Sequence, residues 1–109
     1  MNWTIEFLPK ADQDMDELDG SAKRQVFKGI QKVSQNPLPK QQGGYGKPLG
    51  NQDGTDLTNL MKIKFLDLGI RVVYKVILDG QVMKIIIISA RSDEKVYKEA
   101  AKRRKKYGI

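Results

Sequence analysis

The chain has no histidine and no cysteine. Without them it lacks the usual general base, the commonest metal ligand and thiolate chemistry, so any catalysis must run through Lys, Arg, Tyr or carboxylates. The cations carry the most information. Lys62, Lys64, Arg71 and Lys75 sit among the apolar runs that follow Leu60, and Arg91 comes just after the last of them. Side chains alternate between the two faces of a strand, which puts those four on one sheet face beside Val73, Ile86 and Ile88. Like charges directly opposite each other cost something on the order of tenths to one kcal/mol, so such a face asks for an anion. A plain solvated face with edge lysines has the same spacing. Clustering of the cations at one end, with Arg91 emerging near it, favours the anion.

Two hairpins must position these residues. Asp79-Gly80 lies between Ile70 to Leu78 and Gln81 to Ala90, and this dipeptide suits a two-residue type I′ turn with positive φ at both positions. It predicts Leu78 opposite Gln81, Val73 opposite Ile86 and Arg71 opposite Ile88. Before it, Phe65 and Ile70 flank Leu66-Asp67-Leu68-Gly69, which predicts Lys64 opposite Arg71 and Lys62 opposite Val73. Met61, Ile63, Ile70, Val72, Tyr74, Val76, Met83, Ile85 and Ile87 then share the core face.

The remaining elements follow from local signals. Trp3, Ile5 and Phe7 alternate with polar residues, as in a strand over Asn2 to Leu8. Pro9 opens a helix with Ala11, Met15 and Leu18 inward and Gly20 ending it. Its acidic run, Asp12, Asp14, Asp16, Glu17 and Asp19, is read as a solvated face rather than a metal site. Ser21 is the expected N-cap of a second helix with Val26, Phe27, Ile30 and Val33 buried and Asn36-Pro37 as its stop. Pro37 to Asp56 reads as a flexible connector; its Gly43-Gly44-Tyr45-Gly46 lacks the strand and the Lys-Ser/Thr helix of a phosphate loop. Ser92 or Asp93 caps a last helix, with Val96, Ala100 and Tyr97 inward and a basic end from Lys102 to Lys106.

The expected fold is therefore α+β, one domain over residues 1–109, in the order β-α-α-β-β-β-α. Its small, antiparallel-rich sheet has four strands, with the first strand beside Ile85 to Ile88. The helical hairpin covers one face and leaves the opposite face open.

Charge divides the chain sharply. Residues 1–59 hold 7 Lys and Arg against 8 acidic residues, and residues 60–109 hold 13 against 5. The second half is the part that would meet nucleic acid, an acidic partner or a membrane surface. No apolar run approaches the roughly 20 residues of a bilayer span. The opening residues do not form a signal peptide, and the expected location is the cytoplasm.

Lys62-Ile-Lys64, Gly69-Ile-Arg71-Val-Val-Tyr74, Ile88-Ser-Ala-Arg91 and Val96-Tyr97-Lys-Glu-Ala100, in this element order, resemble the RelE toxins of type II toxin-antitoxin systems, in the RelE/ParE superfamily. The resemblance implies an endoribonuclease that cuts messenger RNA in the ribosomal A site without metal or cofactor. It also implies a cognate antitoxin that wraps the toxin in a hetero-oligomeric complex. Position by position it carries a functional set onto Lys62, Lys64, Arg71, Arg91 and Tyr97. Lys64 and Arg71 would grip the phosphate, Arg91 would stand near the leaving oxygen, and Tyr97 or Lys62 would be the base. Neighbouring cations would lower both pKa values. Lys75, Lys84, Lys102, Arg103 and Arg104 are the expected further RNA contacts. The alternatives are a ParE-like inhibitor of DNA gyrase, against which the joint presence of all five residues argues, and a non-catalytic RNA-binding module.

Overall fold

Phe65 and Ile70 close the first hairpin with Lys64 opposite Arg71 and Lys62 opposite Val73, the register expected from the loop length. In this computed structural model, which describes residues 2–52 and 55–109, that hairpin joins β3 (Thr55–Phe65) to β4 (Ile70–Ile77). Around it the chain runs β1 (Thr4–Phe7), α1 (Pro9–Asp16), α2 (Gly20–Val33), a 3-10 turn (Lys40–Gln42), β2 (Lys47–Gln52), and then β5 (Val82–Ser89) and α3 (Asp93–Tyr107) after β4. The sheet order is β1-β5-β4-β3-β2. β1 pairs with β5, the expected neighbour, but it runs parallel along Val82–Ile85 and shares only Ile85 with the expected stretch; every other pairing is antiparallel.

The sheet thus has five strands, not four. The added strand, β2, lies within the segment read as a flexible connector. Its sequence, Lys-Pro-Leu-Gly-Asn-Gln, is rich in residues that strands disfavour, and it survives as an edge strand with an irregularity between Pro48 and Gly50. The connector is also ordered by Tyr74, whose buried hydroxyl donates to the Pro37 carbonyl (2.9 Å). Burial pushes that phenol's pKa up, fitting a structural side chain. Gly46 packs against this bond: a Cβ there would fall 2.8 Å from both the Pro37 oxygen and the Tyr74 hydroxyl, and closer still to Met61 Sδ. We expect Gly46→Ala to cost about 2 kcal/mol, by overpacking and loss of a buried hydrogen bond, read as a lower midpoint in urea.

The second hairpin departs from expectation twice. Positive φ falls at Gly80 and Gln81 rather than at Asp79 and Gly80. The register holds from Ile77 opposite Val82 to Tyr74 opposite Ile85, then shifts at a bulge. Val73 therefore faces Ile87, and Arg71 faces Ser89. The extra residue in β5 redirects the strand end that leads to Arg91.

Both sheet faces are covered. α1 and α2 lie on the face of Met61, Phe65 and Tyr74, where the Phe65 ring sits against Gly29. The opposite face, expected to be open, is crossed by α3, which packs on β3, β4 and β5. Val73 and Ile86 on that face are fully buried, as are Val96 and Ala100 of α3. Apolar residues on both faces of β5 demand two covering layers. Asp19 rather than Ser21 caps α2, through Ala22 N–H (2.8 Å), and Phe27 is exposed rather than in the buried stripe. No described helix is long and apolar enough to cross a membrane.

Candidate functional site

β3 and β4 carry Lys62, Lys64 and Arg71 on the α3 face, at the end nearest the Leu66–Gly69 loop. α3 begins above them. Ser92 caps it by accepting from Lys95 N–H (3.5 Å), which sets Asp93 on its first turn and Tyr97 one turn later. The Asp93 carboxylate contacts Arg71 Nε and lies 3.6 Å from Lys64 Nζ. Arg71 also donates to the carbonyls of Gly69 (3.3 Å) and Arg91 (3.4 Å), fixing the guanidinium between the hairpin and the start of α3. β2 adds Lys47, directly opposite Lys62. Two cations thus hold one carboxylate, with Lys62 and Lys47 beside them.

These surroundings tune the two candidate bases differently. Burial, and then the charge of Lys64, hold the Lys62 ammonium below its ordinary pKa; Asp93 opposes, while Lys47 and Arg71 add to the depression. Tyr97 moves the other way: burial and the Asp93 charge raise its pKa, with Arg71 only partly offsetting them. The expected lowering of the Tyr97 pKa is thereby corrected, because the phenol lies beneath α3 beside a carboxylate. Its hydroxyl is buried, with no hydrogen-bond partner among the described residues.

Arg91 joins the cluster through its backbone. Its side chain is exposed and lines a cleft of about 610 Å³ between α1, the end of β5 and α3, with Lys10, Asp14 and Lys95.

The further RNA contacts do not gather with the five. Lys75 and Lys84 lie toward the other end of the sheet. Lys75 donates to the Ile109 carbonyl and Lys84 pairs with Glu6 at 2.6 Å. Arg104 donates to the carbonyls of Thr58 (2.6 Å) and Ile109 (3.1 Å), and Lys102 is exposed on α3. Arg103 is the clearest correction. Expected in a solvated basic tail, it is buried and binds Asp14 (2.7 Å), Glu99 (3.1 Å) and the Ile86 carbonyl (2.9 Å). Burial works against its charge, but Asp14 and Glu99 more than offset this and raise its pKa. Asp14 also accepts from Ile88 N–H (3.1 Å). β1 ends opposite Ile85, so this ion pair satisfies the strand edge that β1 leaves uncovered. Asp14 is therefore not part of a merely solvated acidic face.

Reasoning from the sequence missed Asp93 and Lys47 as members of the site. Asp93 carried a signal, being one helical turn before Tyr97. Lys47 carried none without β2.

No protein-family model matches the chain, and a search of curated proteins finds no relative. Solved structures do match. A free RelE toxin from E. coli, with two arginines changed to alanine, is 25% identical, with a TM-score of 0.71 over 94% of this chain and 98% of that one. The toxin-antitoxin complex RelBE2 from Mycobacterium tuberculosis matches at 20% identity and a TM-score of 0.65, covering 84% and 100%. An archaeal RelE-RelB complex from Pyrococcus horikoshii matches at 16% and 0.58, covering 85% and 99%. The resemblance to RelE-type toxins is thus shown along nearly the whole chain.

Proposed function

We propose that this chain, RelE-type in fold, is the toxin of a toxin-antitoxin pair and acts as an endoribonuclease that cuts messenger RNA on the ribosome. One observation carries the reading: Lys64 and Arg71 already hold an anion, the Asp93 carboxylate, with Lys62 and Tyr97 beside it. An RNA phosphodiester presents the same Arg and Lys donors with two charged oxygens and a single negative charge, as a carboxylate does.

The reaction needs an in-line attack of the ribose 2′-hydroxyl on its own phosphorus, leaving a cyclic phosphate and a 5′-hydroxyl. Lys64 and Arg71 hold the phosphate and offset the charge that grows on its oxygens. Lys62, its pKa lowered by burial and neighbouring cations, takes the 2′-hydroxyl proton. Arg91 swings toward the leaving 5′-oxygen and offsets its charge, and a proton from Arg91 or from a water it holds there completes the 5′-hydroxyl. Tyr97 shapes the floor of the site. The natural partners are ribosome-bound message and a cognate antitoxin, which would mask this basic face in a hetero-oligomeric complex in the cytoplasm.

The test is to map message ends after adding purified protein to translating ribosomes. Cuts ending in a cyclic phosphate support the reading. Intact message together with arrested DNA supercoiling would favour a gyrase inhibitor, and RNA binding without cuts would favour a binding module.

Two outcomes separate the candidate bases. A lysine base acts in its neutral form, so the cleavage rate should rise with pH toward a pKa below Lys62's ordinary 10.5, and Lys62→Ala should remove that limb and at least about 100-fold of the rate. Tyr97→Phe deletes a buried hydroxyl with no partner among the described residues. We expect it to leave thermal stability unchanged or raise it by up to about 1 kcal/mol, and to keep the pH limb.

A further inference from the structure

The carboxylate at the centre of the cation cluster belongs to the protein itself. Asp93 is placed there by the Ser92 cap and by a helix N-terminus that favours an anion. It contacts Arg71 Nε and stands 3.6 Å from Lys64 Nζ. A phosphate gripped by those two side chains would use the same donors and would be repelled by Asp93. Both cannot occupy the site at once.

Resting on the nuclease reading, we propose that Asp93 is a built-in competitor for the Lys64–Arg71 phosphate site and sets how readily that site takes RNA that nothing else holds in place. A carboxylate on the same fold competes at high effective concentration, which dilute free RNA does not match. RNA docked on a ribosome is itself presented locally and displaces it. The apparent dissociation constant for free RNA is the intrinsic one divided by the fraction of time the cation pair is open. Asp93 thus turns a basic sheet face that would bind any RNA into one that needs a presented strand.

Asp93 also moderates the proposed base. Lys62 is faced by Lys47 of β2, Lys64 of its own strand, Arg71 of β4 and Asp93 of α3. Of the charges acting on it, Asp93 favours the protonated amine. Displacing Asp93 as RNA enters leaves the RNA phosphate as the counter-charge in its place.

The experiment measures fluorescence anisotropy of a labelled 2′-O-methyl RNA oligonucleotide, which cannot be cut, at low salt and without ribosomes. Asp93→Asn is expected to bind about five- to tenfold more tightly than the unaltered chain. Asp93→Ser, another residue suited to a helix start, is expected to gain as much. Glu94→Gln makes the same charge change one residue away, where Glu94 pairs with Lys98 (2.9 Å), and is expected to stay within about twofold. Adding Lys64→Ala to Asp93→Asn is expected to remove most of the gain. Equal or weaker binding by both Asp93 variants overturns the proposal, as does an equal gain from Glu94→Gln. Neither result touches ribosomal cleavage by the unaltered chain, the separate measurement on which the nuclease reading stands or falls.

Discussion

Arg91→Ala should lower single-turnover cleavage of ribosome-bound message by about 10²- to 10³-fold, the usual loss when a donor to a developing oxyanion is removed. Arg91 follows β5 and precedes the Ser92 cap of α3. Its backbone is anchored on both sides, because its N–H donates to Ser89 Oγ (3.1 Å) and its carbonyl accepts from Arg71 (3.4 Å). Its side chain is exposed and makes no ion pair among the described residues. Truncation should therefore leave the melting temperature within about 2 °C, since surface changes of this kind stay near ±0.5 kcal/mol. A rate within threefold of the unaltered chain would remove Arg91 from the reaction. Unchanged toxicity on expression, alongside stalled replication, would move the reading toward gyrase.

Arg103→Ala should have the opposite profile, a large loss of stability that precedes any loss of chemistry. The side chain ties α3 to α1 through Asp14 and to β5 through the Ile86 carbonyl. Removing it strands the mostly buried Asp14 carboxylate and leaves a β5 carbonyl without its donor. Breaking a buried pair from one side costs about 3 kcal/mol or more, which for a domain of this size lowers the melting temperature by roughly 12 °C. Glu99 lies on the exposed side of the pair, so Glu99→Gln should cost less than about 1 kcal/mol. A small effect of Arg103→Ala in thermal denaturation would mean that Asp14 finds water instead. Arg103 would then be a buried cation whose pairing adds little to stability.

The hairpin around Leu66–Gly69 was legible because a four-residue loop between two alternating runs leaves little freedom in register, and Lys64 opposite Arg71 followed directly. The second hairpin was legible only near its turn. Alternation counts residues, and a single bulge at Ile86 moves Arg71 from Ile88 to Ser89. β2 was hidden by Pro48 and Gly50, residues that strands disfavour. With β2 went Lys47, a cation of the site.

The expectation of an open sheet face failed for a physical reason. Ile85 to Ile88 point to both faces, and two apolar faces need two layers. α3 supplies the second, burying Tyr97 and bringing Asp93 among the cations. Its sparse apolar positions conceal this, because part of its attachment is polar: Arg103 to Asp14, Arg104 to the Thr58 carbonyl and Lys75 to the Ile109 carbonyl.

By itself the amino-acid sequence determined which residue types were available for chemistry, the strand periods that put Lys62, Lys64 and Arg71 on one face, and the turn between them. Those are local properties, set by composition and by the two-residue repeat of a strand. Only the tertiary structure decided which charges meet: Asp93 with Arg71, Asp14 with Arg103, and a phenol placed beside a carboxylate. The two ion pairs join residues far apart in the chain, and their energies, like the burial of the phenol, depend on packing that appears only once the layers have come together.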